Sequence, residues 1–455
     1  MVGDINRSWS GLQAQVPGMV GMGQAGVGYM HSDAGGFCVG PQDNELYTRW
    51  LQMASLCPIL RPHGEGVPPE PYFYPEPYKS AVRQATHLRY ELLPYLYTLA
   101  WQNTTTGAPL VREVAFEKGF SFLVSRSLLK NDAPQPKAPN EQQATSNKQQ
   151  ETQNTQYLLG PNLLVAPVLQ PGQRRRNVAL PPGSWIDYRN NHTYPGGRTV
   201  GMLAPLAQIP LLVRAGAFVP TTAYRPSTAL YRPDTLLLRY YPDPRQADSE
   251  FTMYDDDGHS AQALTRHQYE LLGLRGFYSP QQTDVILTST GEYPGQPAFR
   301  LLRLLVQRVA APPTAVLLDG VRAPAEAYTY RPATHELEVH FLMNAGVAVS
   351  LQGLKLLTAP LPDLDPDALT LEAPDNGRFG PGEGTTLHYT RHAPGPAAEL
   401  RLRDAQGSIR VRLPLAAAVG PHTLRLDGNN SAGRPLPPGV YWAEAEGQHH
   451  RLVVQ

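Results

Sequence analysis

The sequence predicts a mixed class: α/β plus all-β, with the C-terminal portion of a (β/α)8 barrel followed by several β-sandwich domains. Three observations carry this. Within the first hundred residues, short apolar runs that end in polar residues alternate with amphipathic helical stretches. Beyond them, apolar and polar residues alternate in short runs between turn formers; Pro 46 and Gly 40 are spread along the chain, proline at roughly twice its usual share. At 455 residues the chain is also too long for one ordinary domain.

The elements follow in order. Leu12, Val16 and Met19 mark a short helical pattern that Pro17 should interrupt. Gly26–His31 reads as a strand ending at Ser32-Asp33, followed by a Gly35-Gly36-Phe37 loop. Glu45–Ala54 is helical, with Leu46, Trp50 and Ala54 at fourfold spacing. Leu56–Leu60 reads as a second buried strand, ending at Arg61-Pro62-His63. A longer helix should run from Glu76 to Trp101, with Val82, Ala85, Leu88, Leu92, Leu96 and Leu99 as its buried stripe and a bend at Pro94. Trp50 and Trp101 lie on these stripes and read as core. Strands that end in polar residues and lead into helices are βα units, and a (β/α)8 barrel builds its site at the C-terminal strand ends. Asp33 and His63 stand at two such ends, and Asp4, one helix earlier, at a third. Only about three of the eight βα steps are visible, so the remainder is expected to lie outside this chain.

The predicted organisation is 1–115 for the barrel part, 116–156 for an irregular insertion, and 157–222 and 233–355 for proximal and distal β-sandwiches. A last β-sandwich spans 368–455. Pro134–Gln156 is poor in apolar residues and rich in Gln, Asn, Lys and Thr, the composition of a disordered segment. Arg174-Arg175-Arg176 reads as a solvated turn. Asp255-Asp256-Asp257-Gly258 lacks the spacing of a calcium loop and reads as a charged turn.

Composition narrows function. Lys+Arg 39 balances Asp+Glu 39, so no basic surface for nucleic acid is expected, and a neutral polyol fits better. No apolar run reaches the roughly 18 residues of a membrane span. The N-terminus shows no charged start followed by an apolar stretch, so no signal peptide is expected. Cys38 and Cys57 read as unpaired small hydrophobes rather than a disulfide, and no Cys/His spacing suggests a metal.

Gly3-Asp4, Ser32-Asp33-Ala34-Gly35-Gly36-Phe37 and Arg61-Pro62-His63 resemble, in order and spacing, glycoside hydrolase family 31, the α-glucosidases, α-xylosidases and α-transglucosidases. The resemblance continues through Leu88–Tyr97, Leu163–Leu169 and Leu211–Gly216, and the block from Leu236 is similar to the distal β-domain of such enzymes. It implies a retaining mechanism with two carboxylates about 5–5.5 Å apart, one a nucleophile and one an acid/base with a raised pKa, and no cofactor. Asp4 takes the acid/base position, with Met1 where the family has tryptophan in Trp-x-Gly-Asp. Nothing in the chain matches the Trp-x-Asp-x-Asn-Glu-like nucleophile motif. Asp33, paired with Arg61, is expected to shape the innermost sugar site, His63 to donate to a sugar hydroxyl, and Phe37 to offer the ring an apolar wall. The expected partner is an α-linked oligosaccharide.

The end of the chain, with Asp404–Gly407, Pro438–Tyr441 and a terminal strand, resembles a sorting domain of the bacterial type IX secretion route. That implies a secretion machinery as a partner and an extracellular or cell-surface location for a bacterial parent enzyme. Two further readings stay open: a non-catalytic carbohydrate-binding or surface-anchored β-domain protein, and an inactive truncated product. The absent nucleophile motif separates the enzyme reading from both.

Overall fold

The computed structural model describes residues 4–114 and 155–358, and near the C-terminus 369–372, 378–391, 398–404, 408–416, 418, 420–445 and 448–455. The expected insertion at 116–156 falls almost wholly outside the described residues, as do Met1–Gly3 and the Pro360–Asp367 linker. The chain divides into two units, Met1–Leu361 and Pro362–Gln455.

Four helices open the first unit. Helix α1, Trp9–Gln24, starts where the Ser8 hydroxyl accepts from Gly11 N at 3.0 Å. It runs straight through Pro17, contrary to the expected interruption. Burial of Leu12, Val16 and Met19 on one face holds it together, while Pro17 lies on the exposed face. Helix α2, Asn44–Ser55, is capped by Asp43, whose Oδ1 accepts from Glu45 N and Leu46 N. Every residue from Leu46 to Ser55 is buried, so α2 is a core helix on all its faces. Arg49, fully enclosed, donates to the carbonyls of Gln173, Ala204, Pro205, Leu206 and Gln208 and so ties α2 to two loops far along the chain.

The predicted long helix is two: α3, Tyr78–Glu91, and α4, Leu93–Thr106, meeting at Leu92. Pro94 in the first turn of α4 has no N–H to give to the preceding turn, which sets the break. Trp101 is half-buried rather than core; its ring stacks on Tyr254 at 5.6 Å.

Neither Gly26–His31 nor Leu56–Leu60 forms a regular strand among the described residues. Parallel barrel strands need neighbours on both sides, and here pairing survives only at the ends. Asn6 bridges Cys38 and Ala34 bridges Pro62, both in parallel. Phe37 N donates to Ile5 O at 2.9 Å and Ala34 N to Arg61 O at 3.0 Å. Three strand ends therefore run side by side, as in a barrel wall.

Next comes a six-stranded sheet in the order Val111–Arg112, Tyr157–Leu159, Leu163–Val165, Leu211–Arg214, Ser184–Asp187, Thr193–Pro195. Its side chains alternate between faces. Leu158, Leu164, Trp185 and Leu212 pack with Val178, Leu180 and Met202 of the hairpin Arg175–Leu180/Arg198–Leu203. Tyr157, Leu159, Leu163, Val165, Leu211 and Val213 join the same core as the helices. This two-sided burial explains the nearly continuous apolar run at Leu163–Leu169. The arginine triplet is not a solvated turn. Arg174 pairs with Glu45, Arg176 donates to Pro167 O and Thr155 O at 2.9 Å each, and only Arg175 is exposed.

Two further sheets follow, of five strands and six. Leu236, Leu238 and Tyr240 of the first and Met253, Leu272, Leu274, Val285 and Val349 of the second share the core. Phe218–Thr221 pairs antiparallel with Thr235–Tyr240, so this strand belongs with these later sheets. The run of aspartates splits. Asp255 ends a strand, buried against Arg300 (2.7 Å) and Tyr293 (2.8 Å), while Asp256 and Asp257 form the turn.

The second unit packs a three-stranded sheet and a five-stranded sheet around Phe379, Leu387, Leu400, Leu402, Leu426, Tyr441 and Leu452. Its last strand, Gln448–Val454, lies between Arg378–Phe379, in parallel, and Gly439–Ala445, antiparallel.

Candidate active site

The site grows from the three strand ends. Sequence places Asp4, Asp33 and Arg61 on separate segments, and the parallel pairing brings them together. Asp33 is buried, and its two oxygens are divided between the neighbours: Oδ2 accepts from the backbone N–H of Asp4 at 3.2 Å, and Oδ1 from Arg61 Nη1 at 3.4 Å. The pair is single-pronged, not the bidentate fork that arginine allows. Arg61 is 44% exposed at its side chain against 3% for Asp33, so the guanidinium reaches in from solvent to a fixed carboxylate. Asp33 therefore fixes the backbone that carries Asp4. Asp4 itself has φ 55, a left-handed conformation that turns its exposed side chain away from the path of a regular strand.

Phe37 and His63, which follow Asp33 and Arg61 at the same two strand ends, face each other with ring centroids 5.2 Å apart and tilted by 34°. Both are half-buried. Each therefore keeps surface for a ligand: an apolar face on Phe37, a ring nitrogen on His63. All five residues expected from sequence thus fall on one patch of adjoining strand ends.

One residue that organises this patch escaped the sequence reading. Arg7 is buried, three residues after Asp4, and donates to the carbonyls of Gly40 (2.8 Å), Phe37 (3.1 Å) and Glu65 (2.9 Å). It ties the first strand end to the loops after the other two. The only sequence signal was an arginine three residues beyond Asp4, beside a barrel strand end. Gly36 is required by the same packing: its φ is +85 and a Cβ there would stand 2.6 Å from Arg7 Cα. Below the patch, Trp50 Nε1 donates to Ser32 Oγ at 2.8 Å, which fixes the segment leading to Asp33 from the core side. Cys38 and Cys57 are free; Cys57 is buried beside Met19 and Tyr157.

Chemically, the patch offers an exposed carboxylate on a fixed backbone, a buried carboxylate paired with an arginine, an imidazole and an aromatic face. Such a set suits a polyhydroxylated ring: carboxylates and arginine take hydroxyls, and the aromatic ring takes the C–H face.

Comparison with known proteins bears on the fold. Residues 2–99 match the model of the glycosyl hydrolases family 31 TIM-barrel domain, and residues 138–219 that of the family 31 C-terminal domain. An alpha-xylosidase of Saccharolobus solfataricus is 31% identical over 56% of this chain and 32% of its own length. Alpha-glucosidase 2 of Bacillus thermoamyloliquefaciens is 28% identical over 70% of this chain and 36% of its own. A family 31 dextranase of Flavobacterium johnsoniae, solved with isomaltotriose, shares the fold at TM-score 0.64 and 23% identity, over 76% of this chain and 42% of its own. The chain thus spans about a third of the length of the curated relatives it matches.

Proposed function

We propose that this chain, which carries a TIM-barrel segment and a C-terminal domain of glycosyl hydrolase family 31, supplies the acid/base half of a retaining α-glycosidase acting on α-glucosidic oligosaccharides. The observation that carries the reading is the convergence of Asp4, Asp33 and Arg61 on adjoining strand ends, with Asp33 holding the Asp4 backbone.

In this reading Asp4 protonates the leaving oxygen and then takes the proton of the attacking water. Asp33 and Arg61 hold the hydroxyls of the innermost sugar, His63 donates to another, and Phe37 covers the ring's apolar face. The nucleophile must come from sequence other than that seen here, because no segment of the chain matches the family's nucleophile motif. Loss of the nucleophile removes the covalent intermediate, so the purified chain should not turn over. In the same proposal the Pro362–Gln455 unit directs export through a type IX route, which makes the parent enzyme extracellular or surface-bound.

The test pairs two preparations. The 455-residue chain alone should release no 4-nitrophenol from an aryl α-glucoside above a heat-treated control. An enzyme completed with the remaining barrel strands of a relative should turn over with retention. In it, Asp4→Ala should cost most on substrates with poor leaving groups, roughly 10²–10⁴-fold, and azide should rescue the activated ones. Turnover by the chain alone, or equal loss on all substrates without azide rescue, rejects the assignment of Asp4. For export, the last unit fused behind a reporter with a signal peptide should reach the surface of a bacterium with that route; retention in the periplasm rejects it.

A further inference from the structure

A second cluster of aromatic and acidic side chains lies away from the strand ends. Helix α4 presents Tyr97 and Trp101 to the loop that follows strand Asp248–Asp255, and Tyr29 closes the same side. The open cavity that they line is about 190 Å³. That is below the roughly 300–1,000 Å³ of sites for drug-sized ligands and suits a single ring. Tyr29 is 49% and Tyr97 42% exposed, an unusual outlay of aromatic surface for one spot. Trp101 and Tyr254 stack at 12°, which fixes the indole plane.

The polar part is equally fixed. Asp256 accepts from Tyr97 Oη at 2.7 Å and Gly258 N at 2.8 Å on Oδ1, and from Tyr254 Oη at 2.6 Å on Oδ2. A carboxylate accepts about four hydrogen bonds, so Oδ2 keeps one position for an incoming hydroxyl, in an orientation set before any ligand arrives. A carboxylate held by two tyrosines beside open aromatic faces matches a sugar's alternation of hydroxyl edge and C–H face. The sign of charge narrows the ligand. Asp256 and Asp257 form the turn, and their negative field repels phosphates and carboxylates.

We infer that this cavity is a second carbohydrate site, which holds one ring of a neutral oligosaccharide apart from the strand-end patch. None of the residues that line this cavity belongs to the strand-end patch, so the two places are built from different side chains. The choice of an α-glucan as probe rests on the function proposed above; the site itself does not, since it needs no turnover.

The experiment is equilibrium binding of maltoheptaose and of an isomaltooligosaccharide to the full chain, read by calorimetry and by Trp fluorescence. Saturable millimolar binding, weakened about tenfold or more by Tyr29→Ala and by Asp256→Asn but kept in Arg61→Ala, is the expected result. Tyr29→Ala removes a ring outside the core, so it decides the matter even where Asp256→Asn disturbs the turn. Binding lost in Arg61→Ala and kept in Tyr29→Ala would put the sugar at the strand ends and overturn the proposal. Absence of binding by either oligosaccharide would overturn it too, without touching the assignment of Asp4, which turnover tests separately.

Discussion

Arg7 and Gly36 hold the patch from beneath, and each can be removed alone. Arg7→Ala leaves three carbonyls without their donor in a largely enclosed place. The cost should be about 2–4 kcal/mol, seen as a lower unfolding midpoint of the first unit, with the Phe37–His63 contact loosened in NMR. Gly36→Ala meets backbone, not a flexible side chain, and φ +85 adds strain; it should cost at least about 2 kcal/mol in the same assay. Cys57 gives a pH signature. Burial pushes its thiol from 9.0 up to about 12. A raised pKa means that folding favours the protonated thiol, so this stability is complete below pH about 9 and drains away as pH rises toward 12. Urea midpoints taken across that window should fall for the wild type and fall less steeply for Cys57→Ala. The thiol should also resist aqueous reagents at neutral pH, where half-exposed Cys38 reacts. Asp4, Asp33, Phe37, Arg61 and His63 were all legible in the sequence, because the motifs that carry them are local and short. Arg7 was not: its role comes from three carbonyls at 30 to 58 residues' remove, which no local pattern encodes.

Among elements, the helices were read more faithfully than the barrel strands. The apolar stripe of Leu12, Val16 and Met19 has the helical period, and it overrode Pro17. The proline leaves the Gln13 carbonyl without its usual i+4 donor. Pro17→Ala should therefore stabilise α1 by about 1–3 kcal/mol, since the site is exposed and nothing packs there to be lost. A variant no more stable than the wild type in thermal melts would mean that α1 is strained elsewhere. The Pro94 break was foreseeable because proline acts on its own backbone. Gly26–His31 and Leu56–Leu60 failed as strands for the opposite reason. A strand is defined by its partners, and apolar residues promise a ladder that only neighbouring strands can complete. Where those are not seen, Val27, Tyr29 and Ile59 keep 38%, 49% and 37% of their surface open. The backbone amides of Tyr29 and Ile59 should exchange within seconds to minutes, while those of Leu163–Val165 and Leu211–Arg214, paired and buried, should be slow by orders of magnitude.

For the whole molecule, the two units are separable objects. Among the described residues the Pro362–Gln455 unit has its own core, from Phe379 through Leu402 to Val454, with no member from the first unit. Expressed alone, it should unfold cooperatively, with dispersed NMR signals; a molten, uncooperative product would show that it depends on the rest of the chain. The alternation Leu400-Arg401-Leu402-Arg403 made this sheet readable from sequence, because a half-buried antiparallel strand writes its period directly. The strand order was not readable, since hairpin and crossover share the same alternation.

Arg49 sets a timetable. The guanidinium leaves the ribosome well before the five carbonyls that receive it, which belong to residues 173, 204, 205, 206 and 208. At about 5–20 residues per second, the wait for the last of them is roughly 8–30 s. For that interval a cationic side chain sits in a helix whose surroundings are otherwise being made dry. Nascent chains stalled before Pro205 should thus stay open to protease across Asn44–Ser55, and those stalled well beyond Gln208 should not. The later-made loop, not the earlier-made helix, closes this part of the protein.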